Sequence, residues 1–436
     1  MATGSPVSAS PASASPAAAS LAAGSLAAVS LTPGSVATAP ESVATAPGFA
    51  AAGAAGEPAQ KPRARDLGVP FDGTPGPLNA ITDVAGVTVG HTTLISGSGK
   101  LRVGQGPVRT GVTAVLPRGR DSLSNPVFAA WFTQNGNGEM TGTTWVEESG
   151  FLEGPVMITN THSVGVVRDA VVQWRVAHAG PDTTGFYWSL PVVAETWDGW
   201  LNDINGFHVK PEHAVHALDG AHTGAVEEGS VGGGTGMICN GYKGGIGTSS
   251  RRLDAKDGGY TIGVLVQCNY GTRDNLRIAG VAVGREIPAP EPYAFVPSDI
   301  AERGSIIVVV ATDAPLLAHQ LKRLARRVTL GLGRNGSISG NDSGDIFIAF
   351  SVANSGAAAA GHVVDLKMLP NDSLDPVFRA TVEATEEAIV NALVAARDMT
   401  GVDDHRVIAL PHAALRAVLK KYGRLVPSTA WQESVQ

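Results

Sequence analysis

"ERGSIIVVVATDAP", residues 302–315, decides how the chain is read. Glu302 and Arg303 form a charged turn that ends in Gly304. Ser305 follows at once, then a run of Ile and Val, then Thr-Asp-Ala-Pro. The β-branched run predicts a buried strand. A lone hydroxyl stands at its start, directly after the one residue type that tolerates any backbone geometry. The bland account is a turn and a strand. The sharper one is a nucleophile held at the mouth of a rigid element.

Downstream, "DAPLLAHQLKRLARRVTLGLG" predicts a helix. Thr312 and Asp313 are its cap candidates, Pro315 falls in its first turn and Gly333 stops it. Leu317, Leu321, Leu324 and Val328 form its apolar stripe. "DIFIAFSVAN" predicts another strand and "ATEEAIVNALVAARDM" another helix. Upstream, "PLNAITDVAGVTVGHTTL" reads as strand, turn, strand. "GVTAVLPR", "GPVMITNTHS" and "YTIGVLVQCNYG" are strands, and "SVGVVRDAVVQWRVAHAG" has helical spacing with a glycine stop. Strands and helices mix without a strict βαβ rhythm, which favours a layered α/β sandwich over a doubly wound sheet.

Residues 1–60 are mostly Ala, Ser, Pro, Gly, Thr and Val, with Glu41 and Glu57 as the only charges, and "SVATAP" occurs twice. Such a stretch cannot bury enough surface to offset chain entropy, so a disordered tail is expected, with one folded unit over 61–436. No Lys or Arg precedes Lys61, and prolines interrupt each apolar run, so it does not read as a secretion signal, although "SLAAGSLAAVSL" is mildly apolar. A cytoplasmic location is expected on that ground. The net charge of −7 gives no basic footprint for nucleic acid or an anionic membrane. No apolar run is long enough to span a bilayer. Cys239 and Cys268 lack CxxC spacing and are expected to be separate buried thiols rather than a disulfide.

The glycine tract 229–252, "GSVGGGTGMICNGYKGGIGTSSRR", lacks the order of a phosphate-binding loop, since Lys243 is followed by Gly244. Tight turns and close backbone contacts are expected there. No G-x-S-x-G elbow and no H-E-x-x-H occurs. His162, His208 and His213 are scattered, so no metal site is read from the sequence and no cofactor is expected. What remains is hydroxyl chemistry without an obvious histidine. Cutting the peptide bond before a serine frees an α-amine beside its own oxygen. That amine has a reference pKa of about 8 and can serve as the base. Gly304-Ser305, at the head of a strand, suits this chemistry.

From "ARDLGVPFDGTPGPLNAITDVAGVTVGHTTL" onward, through "GEMTGTTWVEESG", "GSVGGGTGM", "YKGGIGTSSRR", "GSIIVVVATDAPLLAHQLKRLARR" and "GSISGNDSGDIFIAF", the chain resembles the self-cleaving serine aminopeptidases. That family includes L-aminopeptidase D-Ala-esterase/amidase and the β-peptidyl aminopeptidases. The resemblance covers all but the first ~60 residues, and is closer to the L-aminopeptidase D-esterase branch. It implies a four-layer α-β-β-α sandwich, similar to the N-terminal-nucleophile hydrolases but with different connectivity. It also implies one self-cleavage between Gly304 and Ser305, giving chains 1–304 and 305–436, and tetramers of the cleaved unit. The substrates implied are short peptides, aminoacyl amides and esters, D- and β-aminoacyl ones among them.

Carried over residue by residue, the resemblance makes Ser305 the nucleophile and its α-amine a base. Ser343 and Asp345 form a hydroxyl-acid pair near it, with the spacing of two that puts side chains on one side of an extended segment. Asn269 helps to hold the oxyanion, a task typically worth ~10²–10³ in rate. Glu195 receives the substrate's free amine. Trp197 stands where the family usually has Tyr, and an indole N–H can donate but cannot accept or titrate. Two rivals remain open at this point. One is an acyltransferase of the self-cleaving ornithine acetyltransferase type, which normally uses Thr. The other is an uncleaved, noncatalytic binding protein.

Overall fold

The computed structural model describes residues 62–178, 188–290, 292, 304–359 and 361–428. The expected tail, 1–60, and the charged turn at Glu302 and Arg303 lie outside the described residues. The strands used below, in chain order, are β1 Thr88–Ser96, β2 Val108–Arg120, β3 Val127–Gly136, β4 Phe151–Leu152, β5 Val156–Asn160, β6 Val192–Thr196, β7 Ile238–Cys239, β8 Tyr242–Lys243, β9 Gly245–Arg252, β10 Thr261–Asn269, β11 Ser305–Thr312 and β12 Gly344–Ser351. The α-helices of the described residues are α1 Thr143–Ser149, α2 Val164–His178, α3 Pro211–Asp219, α4 Val283–Glu286, α5 Ala318–Arg334, α6 Asp375–Ala395 and α7 His412–Lys421.

Two sheets form the centre. One has four strands in the order β1-β2-β5-β6; the other has six, in the order β4-β3-β12-β11-β10-β9. Side-chain parity on β11 shows how they stack. Ile307, Val309 and Ala311 lie in a core shared with Val115, Ile158 and Ala194 of the four-stranded sheet. Ile306, Val308 and Val310 lie in a second core with Leu321, Leu324 and Val328 of α5 and Ala388 and Leu393 of α6. On the far side, Val112, Ala114 and Val193 pack under Val167 and Val171 of α2 and Ala214 and Leu218 of α3. The alternation of strand side chains thus builds four layers, helix–sheet–sheet–helix. Each fully buried Ile or Val contributes roughly 1.5–3 kcal/mol relative to exposure.

Glycines let the layers approach. A Cβ at Gly247 on β9 would stand 2.0 Å from the Ala388 carbonyl of α6. The last third of the glycine tract is therefore strand β9 under a helix, rather than the turns expected for the whole of it. Its first part does turn, with a 3-10 helix over Gly232–Gly234.

Three local expectations are corrected. "PLNAITDVAGVTVGHTTL" is a 3-10 helix, Ile81–Asp83, followed by one strand, because Asp83 accepts from the backbone of Leu78 and Ala80 and closes a turn. α5 starts at Ala318 rather than at Thr312 or Asp313. Asp313 instead accepts from the Thr261 backbone at 2.7 Å, and the Gln320 side chain accepts from the Leu317 backbone at 3.1 Å. Leu317 is consequently the cap rather than part of the stripe, and the helix runs through Gly333 to Arg334. Cys239 and Cys268 are joined as a disulfide rather than separate thiols, since β7 lies against the end of β10.

The N-terminal segment is tied down by buried charge. Glu387 on α6 accepts from Arg65 at 2.7 and 2.8 Å and from Asn79, and pairs with Arg251 at 2.8 Å. Burial alone would raise the Glu387 pKa, but the Arg65 hydrogen bond and the Arg251 charge outweigh it and hold it below 4.5. Its contribution to stability is fully present above the unfolded pKa and is lost as pH falls from there through the lower folded pKa. Arg251 is 1% exposed, and without Glu387 its nearest carboxylate is Glu383 at 3.8 Å, so Glu387→Ala leaves a buried cation under-compensated. It is expected to lower folding stability by about 3–5 kcal/mol, measured as a urea midpoint shift at pH 7. A loss under 1 kcal/mol would contradict this account of the cluster.

Candidate active site

Ser305 is the first residue of β11. It pairs with Asn269, the last residue of antiparallel β10, while Ile306 pairs with Asp345 on parallel β12. Parity puts Ser305 on the face of Ile307 and Val309, toward the other sheet. Asn269 shares the corresponding face of β10 with Leu265 and Gln267. Gln267 reaches across the layer to the Thr159 carbonyl at 3.0 Å and to Thr196 at 2.8 Å. One end of the otherwise apolar inter-sheet layer is therefore polar, and Ser305 sits there, 5% exposed.

Gly304 has φ of +136°, and a Cβ on it would lie 1.7 Å from the Asn269 carbonyl oxygen. Only glycine fits. The Gly344 amide donates to Ser305 Oγ at 3.3 Å. Gly344 is equally constrained, with its Cβ position 2.3 Å from the Asn137 carbonyl. Between Ser343 and Asp345, it brings a backbone donor to the hydroxyl. The sequence held no sign of this beyond its place in "NDSGDIF".

Ser343 Oγ donates to Asp345 Oδ1 at 2.6 Å, and both residues are fully buried. Burial raises the Asp345 pKa, and the Ser343 hydrogen bond opposes it. Asn135 on β3 donates to the Gly340 carbonyl and steadies the loop that delivers the pair.

Asn269 is held at both ends of its side chain. Its Oδ1 accepts from the Ile238 amide at 2.7 Å, and its Nδ2 donates to the Trp197 carbonyl at 2.9 Å. One partner is a pure donor and the other a pure acceptor, so the amide has a single orientation and retains one N–H. Trp197 thus joins the site through its backbone; its half-buried ring stands over Gly199.

Glu195 closes the site from the four-stranded sheet. It is 3% exposed, and its carboxylate accepts from the Glu139 amide at 3.0 Å and from the Thr161 hydroxyl. It lies on the other face of β6 from Ala194. Gly138 links it to the Ser305 end: a Cβ there would stand 3.2 Å from Glu195 Oε1 and 3.3 Å from Gly344 Cα. Burial pushes the Glu195 pKa up; the Thr161 and Glu139 hydrogen bonds pull it back, and the Glu139 and Asp198 charges add to the rise. Asp198, fully enclosed between Asn160 and Asn202, is pushed up to about 6 by burial. Thr161 and Asp198 were not singled out in the sequence, although Thr161 lies within "GPVMITNTHS" and Asp198 directly follows Trp197.

The structure brings Ser305, Gly304, Asn269, Ser343 and Asp345 together at one end of three adjacent strands, with Glu195 and Trp197 arriving from the second sheet. The three histidines stay apart from them. His208 pairs with Asp203 at 2.8 Å, His213 accepts from the Lys210 backbone, and His162 stacks on Phe207. Among the described residues no His, Cys, Asp or Glu cluster could hold a metal ion.

The family model of peptidase family S58 matches residues 79–407. The chain is 58% identical over 388 residues to β-peptidyl aminopeptidase BapA of Sphingosinicella microcystinivorans, covering 87% of this chain and 96% of that protein. It is 50% identical over 373 residues to BapA of Sphingosinicella xenopeptidilytica, covering 82% and 91%. Among solved structures, L-aminopeptidase D-Ala-esterase/amidase of Ochrobactrum anthropi superposes with a TM-score of 0.78 at 50% identity, over 84% of this chain and all of that one. That protein is described as a prototype for the serine aminopeptidases and as a new variant of the Ntn hydrolase fold. A β-aminopeptidase of a Burkholderia species superposes at 0.75 with 48% identity, over 83% of this chain and 99% of that one. The chain therefore belongs to peptidase family S58 and is a serine aminopeptidase.

Proposed function

We propose that the protein cuts itself once, between Gly304 and Ser305, and then removes N-terminal residues from short peptides, amides and esters through an acyl-enzyme on Ser305. The observation that carries this reading is the meeting of Gly304, Ser305 and Asn269 across β10 and β11. In the precursor, Ser305 Oγ attacks the Gly304 carbonyl carbon. The peptide C–N bond breaks, and the proton from Oγ goes to the departing nitrogen. Water then hydrolyses the resulting ester, leaving a carboxylate on Gly304 and a free amine on Ser305.

In turnover, that amine takes the Oγ proton as Ser305 attacks the substrate carbonyl. The substrate's C–N or C–O bond then breaks, the departing group takes the proton back from the amine, and water hydrolyses the acyl ester to release the N-terminal residue and restore Ser305 Oγ–H. The remaining Asn269 N–H stabilises the oxyanion. The Asp345–Ser343 pair orients the proton path. Glu195 holds the substrate's ammonium, which selects a free N-terminus. The two β-peptidyl aminopeptidases, at 58% and 50% identity, favour β-aminoacyl substrates over the D-esterase branch that the motifs suggested. A tetramer of cleaved units belongs to this proposal through the family resemblance alone. Among the described residues no helix is long and apolar enough to cross a membrane. The disulfide weighs against the cytoplasmic expectation, since such bonds persist mainly in oxidising compartments.

Ser305→Ala is expected to remain one full-length chain and to lose at least about 10³-fold in hydrolysis of aminoacyl p-nitroanilides. Activity retained in the uncut variant would end this reading. Burial raises the Glu195 pKa, so it loses its charge as pH falls through a value higher than an ordinary glutamate's. The Ser305 α-amine must also be neutral to act as base, so kcat/KM is expected to fall first below about pH 8 and more steeply once Glu195 is protonated as well. Glu195→Gln should raise KM at neutral pH by about tenfold or more and remove that second, steeper part of the limb. An unchanged KM and limb would remove Glu195 from amine binding.

A further inference from the structure

An asparagine amide can rotate by half a turn and exchange its donor for its acceptor. Asn269 Nδ2 lies 3.2 Å from where a Cβ on Gly304 would stand, so only one orientation of the amide brings its N–H groups to the bond ahead of Ser305. Two bonds select it: Nδ2 donates to the Trp197 carbonyl at 2.9 Å, and the Ile238 amide donates to Oδ1 at 2.7 Å. Ile238 lies in the short ribbon of β7 and β8, where it pairs with Lys243.

Lys243 is fully buried, and its Nζ donates to the Met237 carbonyl at 2.8 Å, the Gly244 carbonyl at 2.9 Å and the Gly234 carbonyl at 3.3 Å. The Met237 carbonyl and the Ile238 N–H belong to one peptide unit. The ammonium therefore grips one end of the same rigid plane whose other end holds Asn269. A cation on the carbonyl also polarises the plane and strengthens its N–H as a donor. The next residue on each side adds a covalent tie, since Cys239 follows Ile238, Cys268 precedes Asn269, and the two are joined. An apolar side chain would fill the same space without the desolvation cost of a buried ammonium.

We propose that Lys243 is a positioning residue. Through the Met237–Ile238 peptide it sets the Asn269 amide with Nδ2 available to the oxyanion. The inference rests on Asn269 serving as the oxyanion donor in the function proposed above.

A double-mutant cycle tests it in the full-length protein. Hydrolysis of a β-alanyl p-nitroanilide is measured for Lys243→Met alone and in an Asn269→Ala background, per cleaved molecule as counted by intact mass. The rate of self-cleavage gives a parallel cycle where cleavage is incomplete. Lys243→Met is expected to lower kcat about 10–100-fold with KM changed less than about 2-fold, and to cost less than about 2-fold more once Asn269 is gone. Equal losses in both backgrounds would overturn the inference and leave Lys243 a purely structural role. If Lys243→Met does not fold, the Cys239→Ala/Cys268→Ala double variant loosens the same ribbon. It should show the same dependence on Asn269, and additive losses there would also overturn the proposal. Asn269→Ala with full kcat would remove the oxyanion role and the inference with it. Loss of self-cleavage and hydrolysis in Ser305→Ala would still stand as the separate mark of the nucleophile.

Discussion

The pairing of Asn269 with Ser305 at the ends of β10 and β11 is the constraint on which the site depends. Antiparallel register fixes the two Cα positions, and parity turns both side chains toward the second sheet. The same register presses Gly304 against the Asn269 backbone, so closely that no Cβ fits and φ becomes positive. The Gly304–Ser305 peptide, the Ser305 hydroxyl and the Asn269 amide, to which the proposed function assigns cleavage, attack and oxyanion binding, are thus set by a single strand pair. The parallel neighbour β12 adds Asp345 beside Ile306 and the Gly344 amide on the hydroxyl.

Where this strand pair ends also matters. The inter-sheet layer is apolar along Ile307, Val309, Leu265 and Ile348, and polar at the end that holds Gln267, Thr196 and Asn269. Hydrogen bonds there act in a low-dielectric setting, where each is stronger and each unmet partner more costly. Burial also raises the carboxyl pKa values of Glu195, Asp198 and Asp345. In the proposed function a substrate ammonium beside Glu195 would offset the burial of that carboxylate and so tie recognition of a free N-terminus to the fold.

Much of this was legible in the residues because the long signals are local. "SIIVVV" is a strand by composition, and Leu321, Leu324 and Val328 are buried on α5 as their spacing requires. The motif resemblance placed the site residues at one locus. Tertiary contacts overrode the rest. Asp313 serves the neighbouring strand β10 instead of capping α5. β9 passes for turns because its glycines make room for α6. The cysteines are 29 residues apart, with no spacing rule to join them. Backbone donors such as Gly344 and Ile238 leave no mark in a sequence, since any residue but proline carries the same N–H.

The most direct test of the central claim is the intact mass of the purified wild-type protein under denaturing conditions, with N-terminal sequencing of its smaller component. The account predicts two chains and a new terminus reading Ser-Ile-Ile, from Ser305. A fully active preparation containing only the unbroken chain, or one cut at any other bond, would contradict it.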